Sequence, residues 1–83
     1  MKTVLLILLD KRKETALKIQ KILTVWGCLI KTRIGLHDDV LENCSESGLI
    51  ILQLVGSKAK HKQLEKLLAN LPGVKAKLVE MSF

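Results

Sequence analysis

The stretch GLIILQLV at residues 48–55 decides the fold, and TVLLILL at residues 3–9 repeats its character. Each is a short, unbroken aliphatic run. A strand with one wet face alternates apolar and polar residues, whereas a strand buried on both faces does not. Both runs therefore read as buried strands, and the segments around them must supply what covers and flanks them.

Outward from these runs the chain punctuates itself. Asp10 is a candidate helix N-cap, and Ala16, Ile19, Leu23 and Trp26, with Ile22 beside them, recur at helical spacing over residues 11–26. Gly27 stops that helix. Residues 28–37, CLIKTRIGLH, alternate, with Ile30, Thr32, Ile34 and Leu36 on one face and Leu29, Lys31, Arg33 and His37 on the other. A polar loop spans 38–47. Gly56-Ser57 closes the 48–55 strand and caps a second helix with a stripe of Leu64, Leu67, Leu68 and Leu71. Pro72-Gly73 ends it, and VKAKLVEM at 74–81 makes the last strand.

The order strand, helix, strand, strand, helix, strand, joined by right-handed crossovers, predicts a split β-α-β sheet of order 4-1-3-2 with both helices on one face. This is a ferredoxin-like α+β domain occupying residues 1–83. The two unbroken runs then fall at the centre of the sheet. The lysine-bearing segments fall at its edges, where lysine discourages unwanted pairing.

Eighty-three residues hold one domain. Forty-eight per cent are apolar, yet the only aromatic residues are Trp26 and Phe83, so the core is aliphatic. The formal charge of +6 favours anionic partners in general: nucleic acid, phosphorylated metabolites or acidic surfaces. The apolar start, Val4 to Leu9, is shorter than a signal-peptide core, and no stretch reaches the roughly 18 residues of a membrane span. The expected location is cytoplasmic, with no membrane partner.

Two helices cover one face of such a sheet, and the other face should be polar in a monomer. Leu49, Ile51 and Val55, with Gln53 among them, are predicted to point away from the helices. Lys31, Arg33, Lys75 and Lys77 are predicted to rim them. An apolar strip edged by charge marks an association surface, so the expectation is a homo-oligomer, dimer or tetramer, assembled through the sheet by face packing, edge pairing or both.

A second expectation treats strands 1 and 3 as parallel neighbours, which opens both helix N-termini at one end of the sheet. Asp10, Lys11 and Arg12 would there meet Ser57 and Lys58 and receive a phosphate or carboxylate. His37, Asp38, Asp39, Glu42 and Cys44 could ligate a transition metal, but their spacing matches no established site. No metal and no cofactor is expected. Cys28 and the serines lack a nucleophile context, so no enzyme activity is expected. Strands 1 and 3 carry no aromatic residue on which RNA bases could stack, leaving only electrostatic contact with nucleic acid.

Arg33-Ile34-Gly35, GLIILQLVG at 48–56, Leu71-Pro72-Gly73-Val74 and KAKLVEM at 75–81 together resemble the small stand-alone ACT-like proteins grouped as iron-only hydrogenase system regulators. The segment LQLVGSKAKHKQLEKLLANLPGVKAKLV, residues 52–79, is also similar to the C-terminal sensing domain of nickel-responsive repressors. The likeness spans about residues 33–81 closely and the first half by topology alone. It implies oligomers assembled through sheets and a regulatory or ligand-sensing role, and it adds Arg33 to the candidate anion site. Strand 3 opens with Ser47-Gly48 rather than the repressors' cysteine, so their nickel site is not carried over. The turn from Asp10 to Lys13 has no glycine, unlike amino-acid-binding ACT domains. The reading at this level is a regulatory or ligand-sensing oligomer. Its alternative is an electrostatic binding module for protein or nucleic acid.

Overall fold

The two aliphatic runs become neighbouring central strands. The computed structural model describes residues 1–10, 13–37 and 48–83. In chain order the elements are β1 (Lys2–Leu9), α1 (Lys13–Val25), a 3-10 turn (Gly27–Leu29), β2 (Ile30–His37), β3 (Gly48–Leu54), α2 (Lys58–Ala69) and β4 (Val74–Met81). The sheet order is β2-β3-β1-β4 with antiparallel neighbours throughout, which is the ferredoxin-like α+β fold.

The expected parallel relation of β1 and β3 is corrected. They pair antiparallel, Thr3 opposite Leu54 through Leu9 opposite Gly48. Each crossover makes its own two strands parallel, and the β2–β3 connection reverses direction. β1 and β3 must then oppose each other, and α1 and α2 start at opposite ends of the sheet.

A second correction concerns β2. Ile30 lies opposite Leu54, yet Thr32 lies opposite Gln53, because the register shifts between them. One extra residue in an antiparallel strand is a β-bulge, and it inverts which face each later side chain occupies. Ile30 packs on the core, whereas Thr32, Ile34 and Leu36 pass to the uncovered face. Arg33 goes the other way: it sits opposite fully buried Leu52, and its guanidinium donates to Gln20 Oε1 on α1.

The covered face is wholly aliphatic at its centre. Leu5, Ile7, Leu52 and Leu54 from the sheet meet Ile19 and Leu23 of α1 and Leu64 and Leu68 of α2. Burying a side chain of this size contributes about 1.5–3 kcal/mol. The α2 stripe is His61, Leu64 and Leu68 with Leu71 at its end; Leu67, expected within it, is exposed. Ser57 caps α2 as its type predicts, Oγ accepting from Lys60 N at 3.3 Å.

The turn from α2 to β4 is tied back to β1. Asp10 N donates to Gly73 O at 3.0 Å, and Thr15 Oγ1 donates to Pro72 O at 3.2 Å. Gly73 has φ +76°, and a Cβ added there would overlap the Asp10 carboxylate. Glycine serves both needs at once: the left-handed backbone and the close approach.

Candidate functional site

Every second residue of the sheet faces away from the helices, and the registers arrange these residues in rows. One row reads Leu36, Leu49, Leu8, Lys75 from β2 to β4. The next reads Ile34, Ile51, Leu6, Lys77, and a third reads Thr32, Gln53, Val4, Val79. The first two rows are thus aliphatic from the β2 edge across three strands, then end in lysine on β4. Ile34, Leu36 and Leu8 are 48%, 50% and 50% exposed. Aliphatic side chains this wet gain only part of their burial energy from folding the single chain. Contiguous patches of them mark contact surfaces.

The two edges of the sheet are finished differently. On β4, Lys75 and Lys77 stand on the uncovered face, and Leu78 N donates to Glu65 Oε2 of α2 at 2.8 Å. That carboxylate occupies one outward backbone donor of the edge strand. On β2, residues 31–36 are all exposed, and the uncovered-face positions hold Thr32, Ile34 and Leu36. Its one arginine is turned over the helix side toward Gln20. β2 is blunted by other means, the bulge at Lys31 and the charges of Lys31 and Arg33, and its uncovered-face positions carry no lysine.

A cleft of about 320 Å³ opens at the end of the sheet where α2 begins. Lys2, Lys31 and Lys58 line it from three different elements, together with Val55, His61 and Glu80. Lys58 Nζ lies 3.5 Å from Glu80 Oε2. His61 is 3% exposed and its Nε2 is 2.7 Å from Val55 O; the carbonyl can only accept, so Nε2 carries the proton. This bond ties the first turn of α2 to the end of β3. Cations outnumber the carboxylate among the lining side chains, and α2 has no acidic residue in its first turn. An anion entering here would meet the ammonium groups and the positive end of the α2 dipole.

The residues picked from sequence are thus divided. Leu49 and Ile51 face away from the helices as expected, in the middle of the aliphatic rows. Val55 lies one residue past β3, where its N–H donates to Leu29 O at 2.8 Å, and it borders the cleft instead. Ser57 and Lys58 lie at the cleft end of the sheet. Asp10 lies at the other end, the full length of β1 away, about 25 Å for eight residues. Its carboxylate rests against Gly73. Asp10 and Ser57 therefore do not share one anion site, because antiparallel β1 and β3 deliver their ends to opposite sides. Lys11 and Arg12 lie outside the described residues, as do Asp38, Asp39, Glu42 and Cys44. Arg33 belongs to neither end.

Sequence reasoning missed Leu6, Leu8, Ile34 and Leu36 as the body of the uncovered face, and Lys2 and Lys31 in the cleft. The first two were hidden in a run that is apolar on both sides, and the next two by the bulge. Among the described residues no group of three His, Cys, Asp or Glu side chains could hold a metal ion. No helix among them is long and apolar enough to cross a membrane. Cys28 is a free, exposed thiol in the 3-10 turn, not the start of β2.

No protein-family model matches the chain, and no curated protein does. Among solved structures it is similar to that of uncharacterized protein TM1266 from Thermotoga maritima, with a TM-score of 0.83 and 22% identity over 98% of this chain and 96% of that one. At this identity the likeness bears on fold alone.

Proposed function

We propose that the chain is a non-catalytic regulatory or ligand-sensing module that works as a homo-oligomer assembled through its sheet. The observation that carries this reading is the pair of aliphatic rows, Leu36-Leu49-Leu8 and Ile34-Ile51-Leu6, on the face the helices leave uncovered. A monomer has no use for them, and a second copy presents the same self-complementary surface. The cationic cleft supports the sensing half: its chemistry suits a small phosphorylated or carboxylate ligand. The link to an iron-only hydrogenase system rests on the resemblance over residues 33–81.

Sedimentation velocity across micromolar concentrations tests the assembly. A dimer or tetramer is expected, and a clean monomer at every concentration removes the reading. Thermal shift with orthophosphate and citrate tests the cleft. Stabilisation is expected in the native chain and its loss in Lys58→Glu; indifference to both anions removes the anion ligand. Salt-dependent retention of nucleic acid, unaccompanied by self-association, would favour the electrostatic binding module.

A further inference from the structure

We infer that the cleft takes a small dianion, a phosphomonoester or dicarboxylate, and that its occupancy holds β2 in the bulged register, so deciding which face of the sheet Ile34 and Leu36 join. This rests on the proposed anion site and adds the element through which that site acts on the rest of the fold. Three observations meet at Lys31.

The first is charge. Lys2 of β1, Lys31 of β2 and Lys58 of α2 line the cleft, and Glu80 of β4 is the one carboxylate among the described lining residues. Three ammonium groups against one carboxylate leave an excess of two. A dianion neutralises that excess and a monoanion does not. The volume of the cleft, at the small end of the range for ligand pockets, suits a ligand of this class.

The second is register. Ile30 lies opposite Leu54 and Thr32 opposite Gln53, and Lys31 is the extra residue between them, with no partner on β3. Gln53 and Leu54 line the cleft as well, so the bulge forms part of its wall. Bulges re-aim side chains and recur beside functional sites. If β2 slipped to remove the bulge, Lys31 would enter the ladder opposite Gln53, the position Thr32 holds now. Thr32 does not line the cleft. The straight register thus withdraws the third ammonium group and halves the excess charge, and an anion binds it more weakly. A ligand shifts an equilibrium by its difference in affinity for the two states. Here that difference resides in one lysine.

The third is that the sequence of β2 supports the straight register too. Ile30, Thr32, Ile34 and Leu36 alternate without interruption. Slipping carries Ile34 and Leu36, both about half exposed, to the helix side opposite Ile50 and Gly48. It also takes Arg33 away from Gln20 to a place opposite Ile51. One register gains aliphatic burial, and the other keeps the Arg33–Gln20 hydrogen bond. These terms oppose each other, so a charged ligand can decide between them. Occupancy favours the register that shows Ile34 and Leu36 on the uncovered face. Loss of the ligand raises the share of the register that shows Lys31 and Arg33 there.

Two disulfide traps in a Cys28→Ser/Cys44→Ser background read the register within one chain. Opposed residues of an antiparallel pair have Cα atoms about 4.5–5.5 Å apart, within disulfide reach. Leu36→Cys with Leu49→Cys closes in the bulged register. Gly35→Cys with Leu49→Cys closes only in the straight one, because Gly35 lies opposite Ile50 in the bulged one. None of these positions lines the cleft. The probe is millimolar orthophosphate in its dianionic form, set against sodium acetate of equal ionic strength. Orthophosphate is expected to raise the melting temperature of the unsubstituted chain and to slow closure of the Gly35/Leu49 trap about fivefold. Lys31→Gln is expected to remove the slowing, and the Leu36/Leu49 trap closes with or without anion. Circular dichroism confirms that each variant is folded. Amide exchange over residues 30–37 of the unsubstituted chain, expected to slow with orthophosphate more than exchange in β1, gives a second reading free of substitutions. A melting shift with neither reading changed overturns the coupling and leaves the anion site standing. A Gly35/Leu49 trap that stays open with and without anion does the same. An equal response to acetate overturns the preference for a dianion. No melting shift with orthophosphate overturns the coupling and, with indifference to citrate as well, the anion site itself.

Discussion

Ile51 and Leu52 are neighbours in β3, with side chains of the same atom count and hydrophobicity, yet they meet opposite fates. Leu52 is completely buried beneath the helices, while Ile51 stands half-buried in the middle of the uncovered face. The same contrast repeats along β1, where Leu5 and Ile7 are fully buried and Leu6 and Leu8 are not. One face of the sheet is aliphatic because folding of this chain requires it. The other is aliphatic without contributing comparably to that folding. Hydrophobic composition therefore measures what the chain must bury in total, not what it buries alone.

The difference can be broken by matched substitutions, and the largest effect belongs to the covered face. Leu52→Ala is expected to destabilise the chain by about 2–5 kcal/mol in urea unfolding, through lost burial plus the cavity left between β3 and the helices. An equal loss from Ile51→Ala in dilute protein would abolish the distinction between the faces. Next comes the turn that returns the chain from α2 to the sheet. Gly73→Ala should cost about 1–3 kcal/mol from the left-handed backbone, with a steric share read as coupling in a double-mutant cycle with Asp10→Ala.

Ser57→Ala removes the acceptor for Lys60 N, and about 1 kcal/mol is expected in the same unfolding assay. The smallest effect sharpens the comparison most. Ile51→Thr should change unfolding of dilute protein by about 0.5 kcal/mol. Under the proposed assembly the deficit should grow with protein concentration, because Ile51 would then be buried further between copies. A deficit that stays constant over a hundredfold concentration range would show that the uncovered face is only surface.

Much of this architecture is legible in sequence because it depends on long, consistent signals. GLIILQLV and TVLLILL could only be central strands, and Ser57 and Pro72-Gly73 mark the ends of α2 by their backbone chemistry. Two features were lost. The relation of β1 to β3 follows from combining both crossovers with the β2–β3 reversal, and reading the strands as parallel joined Asp10 to Ser57 wrongly. The bulge was invisible for a physical reason: Ile30 to Leu36 alternates perfectly, and alternation says that residues share a face only while the register is continuous. Ile30 and Ile34 look like one stripe in sequence and lie on opposite faces in the fold. The cleft was half visible, as Ser57 and Lys58, since Lys2 and Lys31 reach it from elements distant in sequence.

The bulge at Lys31 has a consequence for how such a protein could change. With the register running straight from Ile30 opposite Leu54, Thr32, Ile34 and Leu36 would fall on the helix side, and Arg33 would fall opposite Ile51 on the uncovered face. Deleting Lys31 would remove the bulge and still leave Thr32 opposite Gln53, so the aliphatic positions would keep their face; only a slip of β2 that takes Lys31 into the ladder would invert them. One unchanged sequence thus holds two alternative surfaces for this strand, and the pairing register decides which of them it shows.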